Sequence, residues 1–292
     1  MESNDTKKAK WIVLPLLIAK VIMVLSSIFV MQIVAVKTLG VFKGGNFNDY
    51  MNAFNKDLMK DSSNLLISVI YASVTAITML AIFKAIFADD KEAMLFKRAI
   101  TKPAHMILGL VLFVVSVQYV CAFVMDVIAT AFPEWLEAYN ALIESMGAGP
   151  DMTIGWFFYS IILAPACEEF VFRGVTLSAA RKLFPAWLAI LIQAVFFGYF
   201  HGNAMQGAYT AVFGIALGYI MYLYDNILLA ILAHALFNLL GQYGGTFLLD
   251  HTSTIASVFF LILGTLIVCY VSVLLLKSGA KPVKNDDVNA DI

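Results

Sequence analysis

The sequence predicts an all-α, polytopic membrane protein with eight transmembrane helices, and three observations carry that prediction. The chain has 292 residues, of which 61% are apolar and only 13% are charged. Soluble domains average about 45–50% apolar and about 25% charged residues, so this chain has about half the charge that a water-facing surface needs. The apolar residues form runs long enough to cross a bilayer, and the basic residues gather in alternate connections between those runs.

The same composition excludes several classes of protein. So few charged residues are incompatible with an ordinary cytosolic enzyme and with a disordered chain. The formal net charge of −1 implies no nucleic acid or other polyanionic partner. The three cysteines, Cys121, Cys167 and Cys269, all lie in apolar runs, so the sequence contains neither a disulfide framework nor a CxxC metal site.

Eight apolar runs can be counted against the requirement of about 20 apolar residues for a spanning helix. They cover residues 11–36, 65–87, 105–131, a segment that opens at Asp151, 185–200, 204–224, 227–243 and 255–276. The fifth and seventh runs are short and need a polar continuation or a locally thinner bilayer. The first run is too long for a cleaved signal peptide and lacks a clear cleavage site, so we expect it to be a retained helix.

The distribution of lysine and arginine orients the helices, because cytoplasmic connections carry the excess of these residues. With the N-terminus inside, the inside segments contain Lys7, Lys8, Lys10, Lys91, Lys97, Arg98, Lys102, Arg181, Lys182, Lys277, Lys281 and Lys284. The outside segments contain only Lys37, Lys43, Lys56 and Lys60. Both termini are therefore predicted to be cytoplasmic, in a multi-pass protein of the cell membrane.

Two of the outer connections have the pattern of amphipathic helices that lie on the membrane surface. The first has apolar residues at helical spacing, namely Phe47, Tyr50, Met51, Phe54 and Leu58. The second begins near Pro133, with Glu134, Glu137 and Glu144 opposite an apolar stripe made of Phe132, Trp135, Leu136, Tyr139, Leu142, Ile143 and Met146.

Seven polar side chains in or next to the predicted spans are candidates for a functional role, because an ionisable group at such a depth costs about 2.5–3.5 kcal/mol. They are Lys20, Glu168, Glu169, Arg173, His201, His234 and Asn238. At about 1.5 Å per helical residue, Glu168 lies roughly 20 Å from the cytoplasmic end of its helix and His201 roughly 22 Å. On the same scale His234 and Asn238 lie at roughly 12 and 18 Å, so three helices place polar groups at overlapping depths.

The spacing of these residues indicates which of them share a helix face. Glu169 and Arg173 are four apart and can neutralise each other, whereas Glu168 is rotated by about 100° and can point elsewhere. His234 and Asn238 are also four apart and present a donor pair on one face.

The surroundings of these residues contain helix-disturbing and small residues. Pro165 removes a backbone hydrogen bond and is expected to kink the helix before Glu168. Gly198 and Gly202 reduce the bulk around His201, which would let a water molecule or an extended peptide approach.

Two kinds of chemistry fit this set of residues. A carboxylate and an imidazole that share one water can take its proton, while a second imidazole and an amide stabilise an oxyanion. Alternatively, Glu168, His201 and His234 could be three ligands of an open zinc site. A single-helix HExxH motif is absent from the sequence, so a zincin is not supported.

Three motifs in order resemble those of the CPBP family, which comprises Abi-type proteins and type II CAAX prenyl endopeptidases. They are EExxxR at 168–173, FxxxH at 197–201 and HxxxN at 234–238. Each motif alone is weak, but all three in order on successive membrane helices form a specific pattern. The hydropathy pattern extends the resemblance over about residues 105–276, and the first two helices are not diagnostic.

The resemblance implies an intramembrane endopeptidase. It implies Glu168 as the catalytic acid/base, His201 as its partner on the water, and His234 and Asn238 as groups that bind the oxyanion or position the substrate. Glu169 and Arg173, the remaining site candidates, would orient or stabilise the site. The family has been described both as metalloproteases and as metal-independent glutamate proteases; we expect no required cofactor, with zinc as the alternative.

The chain therefore divides into four expected regions. A polar tail, 1–10, precedes the N-terminal transmembrane helices and their outer amphipathic segment, 11–104. A CPBP-like catalytic membrane core, 105–276, is followed by a polar tail, 277–292. The expected partners are the lipid bilayer and a membrane-anchored substrate, such as a bacteriocin or pheromone precursor or a prenylated protein.

Other interpretations of the same residues remain. Glu169 with Arg173 is read first as a structural helix pair, and Lys20 as a residue that snorkels or pairs structurally. The protein could be a non-catalytic bacteriocin self-immunity or membrane scaffold protein. It could also be a proton-coupled transporter, although it lacks the paired interrupted helices of repeat-built transporters.

Overall fold

A computed structural model describes residues 8–87, 100–145, 152–249 and 255–280, and within these ranges the chain is helical. A short 3₁₀ turn, Lys10–Ile12, precedes the first helix. The helices are α1 Leu14–Val41, α2 Phe47–Leu58, α3 Asp61–Phe87, α4 Pro103–Ala131, α5 Pro133–Ser145, α6 Ile154–Ala180, α7 Ala186–Phe200, α8 Ala204–Tyr224, α9 Ile227–Leu249 and α10 Ile255–Gly279. Met146, Asp151 and most of the two predicted tails lie outside the described residues.

Six of the described helices are long and apolar enough to cross a membrane, namely α1, α3, α4, α6, α8 and α10. Two further apolar segments, the helix α7 at Ala186–Phe200 and the first part of α9 at Ile227–Gln242, correspond to the fifth and seventh predicted runs. The helix α9 itself continues to Leu249 and is longer than its predicted run. The chain is thus an all-helical, multi-pass membrane protein. The count of eight spans and the side of the membrane on which the termini lie stay predictions.

The first outer connection forms the predicted helix, α2, which folds back onto the end of α1. A capping box begins it, in which Asn46 and Asp49 each bond to the other's backbone N–H. The Tyr50 hydroxyl donates to the Ala35 carbonyl at 3.1 Å. The second outer connection forms α5, whose half-buried face packs against α4 and the start of α8. Both amphipathic helices are therefore attached to spanning helices.

Contacts between helix ends show which ends lie together. The Arg181 guanidinium, just after α6, donates to the Asp225 carboxylate, just after α8, at 2.6 Å. The Tyr224 hydroxyl donates to the Leu276 carbonyl of α10 at 2.7 Å. The Thr101 N–H, before α4, donates to the last residue of α10 at 2.9 Å. One end of the bundle thus contains the C-terminal ends of α6, α8 and α10 and the N-terminal end of α4. The sequence also predicts that these four helix ends lie on the same side of the membrane.

The helix α6 changes its winding on both sides of Pro165. Tyr159–Leu163 and Phe170–Thr176 are π-helical, whereas Ala164–Glu169 is α-helical. Proline lacks the N–H that a helix uses, and the predicted disturbance takes the form of π-helical winding within a continuous helix. Such segments re-aim side chains and are frequent at functional sites.

The hairpin of α7 and α8 is closely packed because two glycines face each other. A Cβ built on Gly207 would lie 3.0 Å from the Gly198 carbonyl oxygen. A Cβ built on Gly198 would overlap the Gly207 carbonyl oxygen. This close approach fixes the position of His201, which caps the C-terminal end of α7.

Candidate active site

Glu169 lies at the centre of a buried ionic cluster. Its Oε1 accepts from the Arg173 guanidinium at 2.8 Å and from His234 Nδ1 at 2.8 Å. Arg173 also donates to the Gly214 carbonyl of α8 at 3.2 Å and lies 4.4 Å from the centroid of the Phe197 ring. Glu169 and Arg173 are both fully buried. A buried charge is tolerated only when it is paired, so this cluster holds α6, α8 and α9 together.

His234 lies between the two adjacent carboxylates. A carboxylate only accepts hydrogen bonds, so the bond to Glu169 places a proton on His234 Nδ1. The other ring nitrogen, Nε2, then faces Glu168, whose Oε2 is 3.7 Å away. The Glu168 side chain is 15% exposed, whereas that of Glu169 is 0% exposed. Glu168 is thus the carboxylate of the pair that a water or a substrate can reach.

His201 is oriented by the backbone of its own helix. Its Nδ1 lies 2.8 Å from the Phe197 carbonyl and 3.4 Å from the Thr210 hydroxyl. Because a carbonyl only accepts, Nδ1 carries the proton and Nε2 keeps its lone pair. Glu168 and His234 both lie close enough to act electrostatically on His201.

The rings around the site place both histidines against one phenylalanine. The Phe197 centroid lies 5.0 Å from that of His201 and 5.8 Å from that of His234, with both contacts edge-on. On its other side His234 packs edge-on against Phe213 at 5.1 Å. The first residue of the FxxxH motif therefore spaces the two imidazoles.

The Asn238 amide donates a hydrogen bond to a backbone carbonyl that has no donor within α6 because of the π-helical winding. The Ala164 N–H bonds five residues back, to Tyr159, and the next residue, Pro165, has no N–H. The Ser160 carbonyl therefore lacks its helical donor, and the Asn238 amide donates to it at 2.8 Å. One N–H of the Asn238 amide remains available for another acceptor.

The structure thus brings Glu168, Glu169, Arg173, His201 and His234 together, and Asn238 lies one helical turn beyond His234. Lys20 is near but separate: its ammonium donates to the Phe200 carbonyl at 2.6 Å, at the end of α7. This is a pairing with backbone, in agreement with the structural reading of Lys20 from sequence.

Other residues at the site were missed by the sequence reasoning. Thr210 touches His201 from α8, and the buried Gln193 donates to the same Gly214 carbonyl as Arg173, at 2.8 Å. Tyr71 of α3 is buried next to the Cys167 thiol and within electrostatic reach of Glu168. Gln193 could have been found from the sequence, because it is an amide within an apolar run. Tyr71 could not, because no local sequence pattern links α3 to α6.

The donor atoms of the cluster do not form a metal site. In the described part of the chain, no group of three His, Cys, Asp or Glu side chains is spaced to hold a metal ion. The nitrogen and oxygen atoms of His201, His234 and Glu168 are of the types that zinc accepts, but their arrangement does not fit a three-ligand site. We therefore derive no catalytic step through a metal.

The comparisons with known proteins agree with the motifs. A family model described as type II CAAX prenyl endopeptidase Rce1-like matches residues 150–240. No curated protein and no solved structure matches the chain. The matched segment covers α6, α7, α8 and the part of α9 that carries His234 and Asn238. The predicted resemblance to this family of peptidases is thereby confirmed for residues 150–240.

Proposed function

We propose that the protein is an intramembrane endopeptidase that hydrolyses a peptide bond in a membrane-associated protein or peptide. One observation carries the proposal: Glu168, the accessible carboxylate, faces His234 Nε2 at 3.7 Å and lies within electrostatic reach of His201. Water activation requires a base that is not already engaged in a structural ion pair, and Glu168 meets that requirement.

The proposed reaction needs only groups of this site. Glu168, helped by the lone pair of His201 Nε2, takes a proton from water as the water oxygen attacks the carbonyl carbon. The carbonyl π electrons move onto oxygen, and the resulting oxyanion accepts hydrogen bonds from the free Asn238 N–H and from His234 protonated at Nε2. When the tetrahedral intermediate collapses, the C–N bond breaks and the proton held by Glu168 passes to the leaving nitrogen.

Glu169 and Arg173 are positioning residues in this scheme. The Glu169 carboxylate fixes the His234 ring through Nδ1 and compensates the charge of an imidazolium, and Arg173 compensates Glu169. Removing either is expected to weaken the site through His234.

The proposal includes the topology. We propose eight spans, with α7 and α9 added to the six long apolar helices, both termini in the cytoplasm, and the cell membrane as the location. Candidate substrates are bacteriocin or pheromone precursors and prenylated proteins, the classes that the resemblance implies.

The test is cleavage of a membrane-anchored peptide library by purified full-length protein and by Glu168→Ala. We expect defined cleavage products with the native chain and none with the variant. Equal cleavage by both proteins would overturn the proposal. Bacteriocin resistance that persists in Glu168→Gln, in the absence of any cleavage, would favour the self-immunity or scaffold alternative, and proton-coupled uptake into liposomes would favour the transporter.

The metal alternative has its own assay. We propose that activity survives exhaustive chelation and that elemental analysis of the active protein finds no stoichiometric zinc. Loss of activity on chelation, restored by zinc, would make Glu168, His201 and His234 metal ligands instead.

A further inference from the structure

A cavity of about 640 Å³ opens between α1 and the hairpin of α7 and α8. Its lining includes Lys20, Gly198, Gly202 and Asn203. Gly198 and Gly202 lie on either side of His201 in the chain, so the cavity lies against the segment of the hairpin that carries this histidine. A volume of several hundred Å³ is typical of ligand-binding cavities.

The cavity contains a cation without a matching anion. The Lys20 ammonium donates to the Phe200 carbonyl at 2.6 Å and lies 4.5 Å from the centroid of the Phe200 ring. No acidic side chain among the described residues pairs with it. An ammonium has three donors, so two remain for another acceptor.

Further donors line the same cavity. Asn203 caps α8 by accepting the Gln206 N–H on Oδ1 at 3.0 Å, which leaves its own amide N–H groups to donate. The N-terminal end of α8, a helix of 21 residues, lies beside the cavity and carries a partial positive charge. A lysine, an amide and a helix N-terminus together favour a negatively charged occupant.

Lys20 lies far from the predicted cytoplasmic end of α7. Its partner, Phe200, is the last residue of α7, a helix of 15 residues. At about 1.5 Å per residue, this places the ammonium roughly 20 Å from the start of that helix. Because α7 is proposed to cross the membrane, this is the outer end of the span, and competition with anionic vesicles separates a peptide carboxylate from a lipid phosphate.

We propose that this cavity binds a carboxylate of the peptide substrate and that Lys20 is the cation that pairs with it. The proposal rests on the endopeptidase function. The Lys20 ammonium bonds to the carbonyl of Phe200, the residue before His201, so a carboxylate held there belongs to a part of the substrate close to that histidine. The carboxylate is supplied by the C-terminus of the substrate or by an acidic side chain.

The test is binding to the full-length Glu168→Gln protein, which separates recognition from cleavage. The probes are lipid-anchored fluorescent peptide pools of one composition that end in a carboxylate, end in an amide, or end in an amide with one internal Glu. We expect one of the two carboxylate pools to bind at least about tenfold more tightly than the plain amide, the gain of a charge-assisted hydrogen bond. Which of the two it is identifies the source of the carboxylate.

Three further variants test the role of Lys20 itself. In the Glu168→Gln background, Lys20→Met should abolish the preference for the carboxylate pool, and Lys20→Arg should keep it. Lys84→Met, which removes an exposed lysine near the end of α3, should bind like the parent. Equal binding of all three pools by the parent, an unchanged preference in Lys20→Met, or displacement of the probes by anionic phospholipid vesicles would overturn the proposal.

The outcome is separable from that of the proposed function. Selective binding that depends on Lys20, without cleavage by the native chain, would support the carboxylate site. The same result would overturn the proposal that the protein is an endopeptidase. Cleavage that requires Glu168 but ignores the charge of the peptide would uphold the endopeptidase and overturn the site.

Discussion

The neighbouring acids Glu168 and Glu169 occupy different environments. Glu169 is fully buried and bonded to Arg173 and His234, whereas Glu168 keeps part of its carboxylate accessible. A carboxylate that neutralises a buried arginine contributes to stability, and one that is accessible is free for chemistry. Their positions on α6 thus separate two roles that a motif with two consecutive glutamates does not distinguish.

This difference predicts opposite effects for two matched variants. Glu169→Gln leaves Arg173 buried without a counter-charge, and we expect it to lower the free energy of unfolding by about 3–5 kcal/mol. Glu168→Gln should change it by less than about 1 kcal/mol, because no buried charge loses its partner. Unfolding in detergent micelles measures both. If Glu169→Gln left the stability unchanged while Glu168→Gln lowered it strongly, Glu169 would not be the structural carboxylate of the pair.

A second residue-scale prediction concerns Asn238. Asn238→Ala removes the donor to the Ser160 carbonyl, and we expect a loss of about 1–3 kcal/mol of unfolding free energy for the unsatisfied group. Pro165→Ala restores a backbone N–H next to that carbonyl and should recover part of the loss in the double variant. If the two substitutions are simply additive, Asn238 does not serve as the replacement donor.

The residue-scale contacts were only partly predictable. The Glu169–Arg173 pair follows from a spacing of four on one helix. The bond from His234 to Glu169 joins positions 65 apart, and nothing in either local pattern indicates which of the two glutamates it selects. Depth alone suggested that these residues meet, but it could not give their partners.

Among the elements, the α7–α8 hairpin depends on the contact of Gly198 with Gly207. A methyl group on Gly198 meets a backbone carbonyl that cannot rotate away. The hairpin holds His201 at its turn, so a displacement of α7 against α8 also moves the imidazole.

Gly198→Ala should therefore lower the unfolding free energy by about 1–3 kcal/mol and reduce any cleavage activity. Gly264→Ala is the matched control, because a Cβ there meets no atom within 4 Å, and it should change stability by less than about 0.5 kcal/mol. Thermal unfolding of the two variants is the measurement. Equal stability would show that α7 and α8 tolerate a wider spacing.

The bounds of several elements were predicted closely from sequence. The run 204–224 coincides with α8, and the first amphipathic segment coincides with α2. The π-helical segments of α6 were not predicted, because the choice between bonds to the fourth and the fifth residue depends on Pro165 and on a partner from α9. The contribution of α3 through Tyr71 was missed for a related reason, since α3 carries no polar motif.

For the whole molecule, the helix ends agree with the alternating helix directions that the sequence predicts, and the side of the membrane on which each end lies stays a prediction. The ends of α6, α8 and α10 and the start of α4 meet at one end of the bundle, which is the end that the lysine and arginine distribution assigns to the cytoplasm.

Labelling with a membrane-impermeant maleimide tests the assignment of sides. Lys56→Cys on α2 and Lys102→Cys before α4 both introduce exposed thiols. We expect the first to be labelled in intact cells and the second only after permeabilisation. The unsubstituted chain, with its own cysteines, is the control, and the reverse pattern would invert the topology.

The central claim is that Glu168 activates water for peptide hydrolysis in the membrane. The most direct measurement is the single-turnover cleavage rate of a membrane-anchored peptide by the native chain and by Glu168→Gln in proteoliposomes, at equal thermal stability. The account predicts a loss of at least about 100-fold, the contribution of a general base. A rate within tenfold of the native value would contradict it.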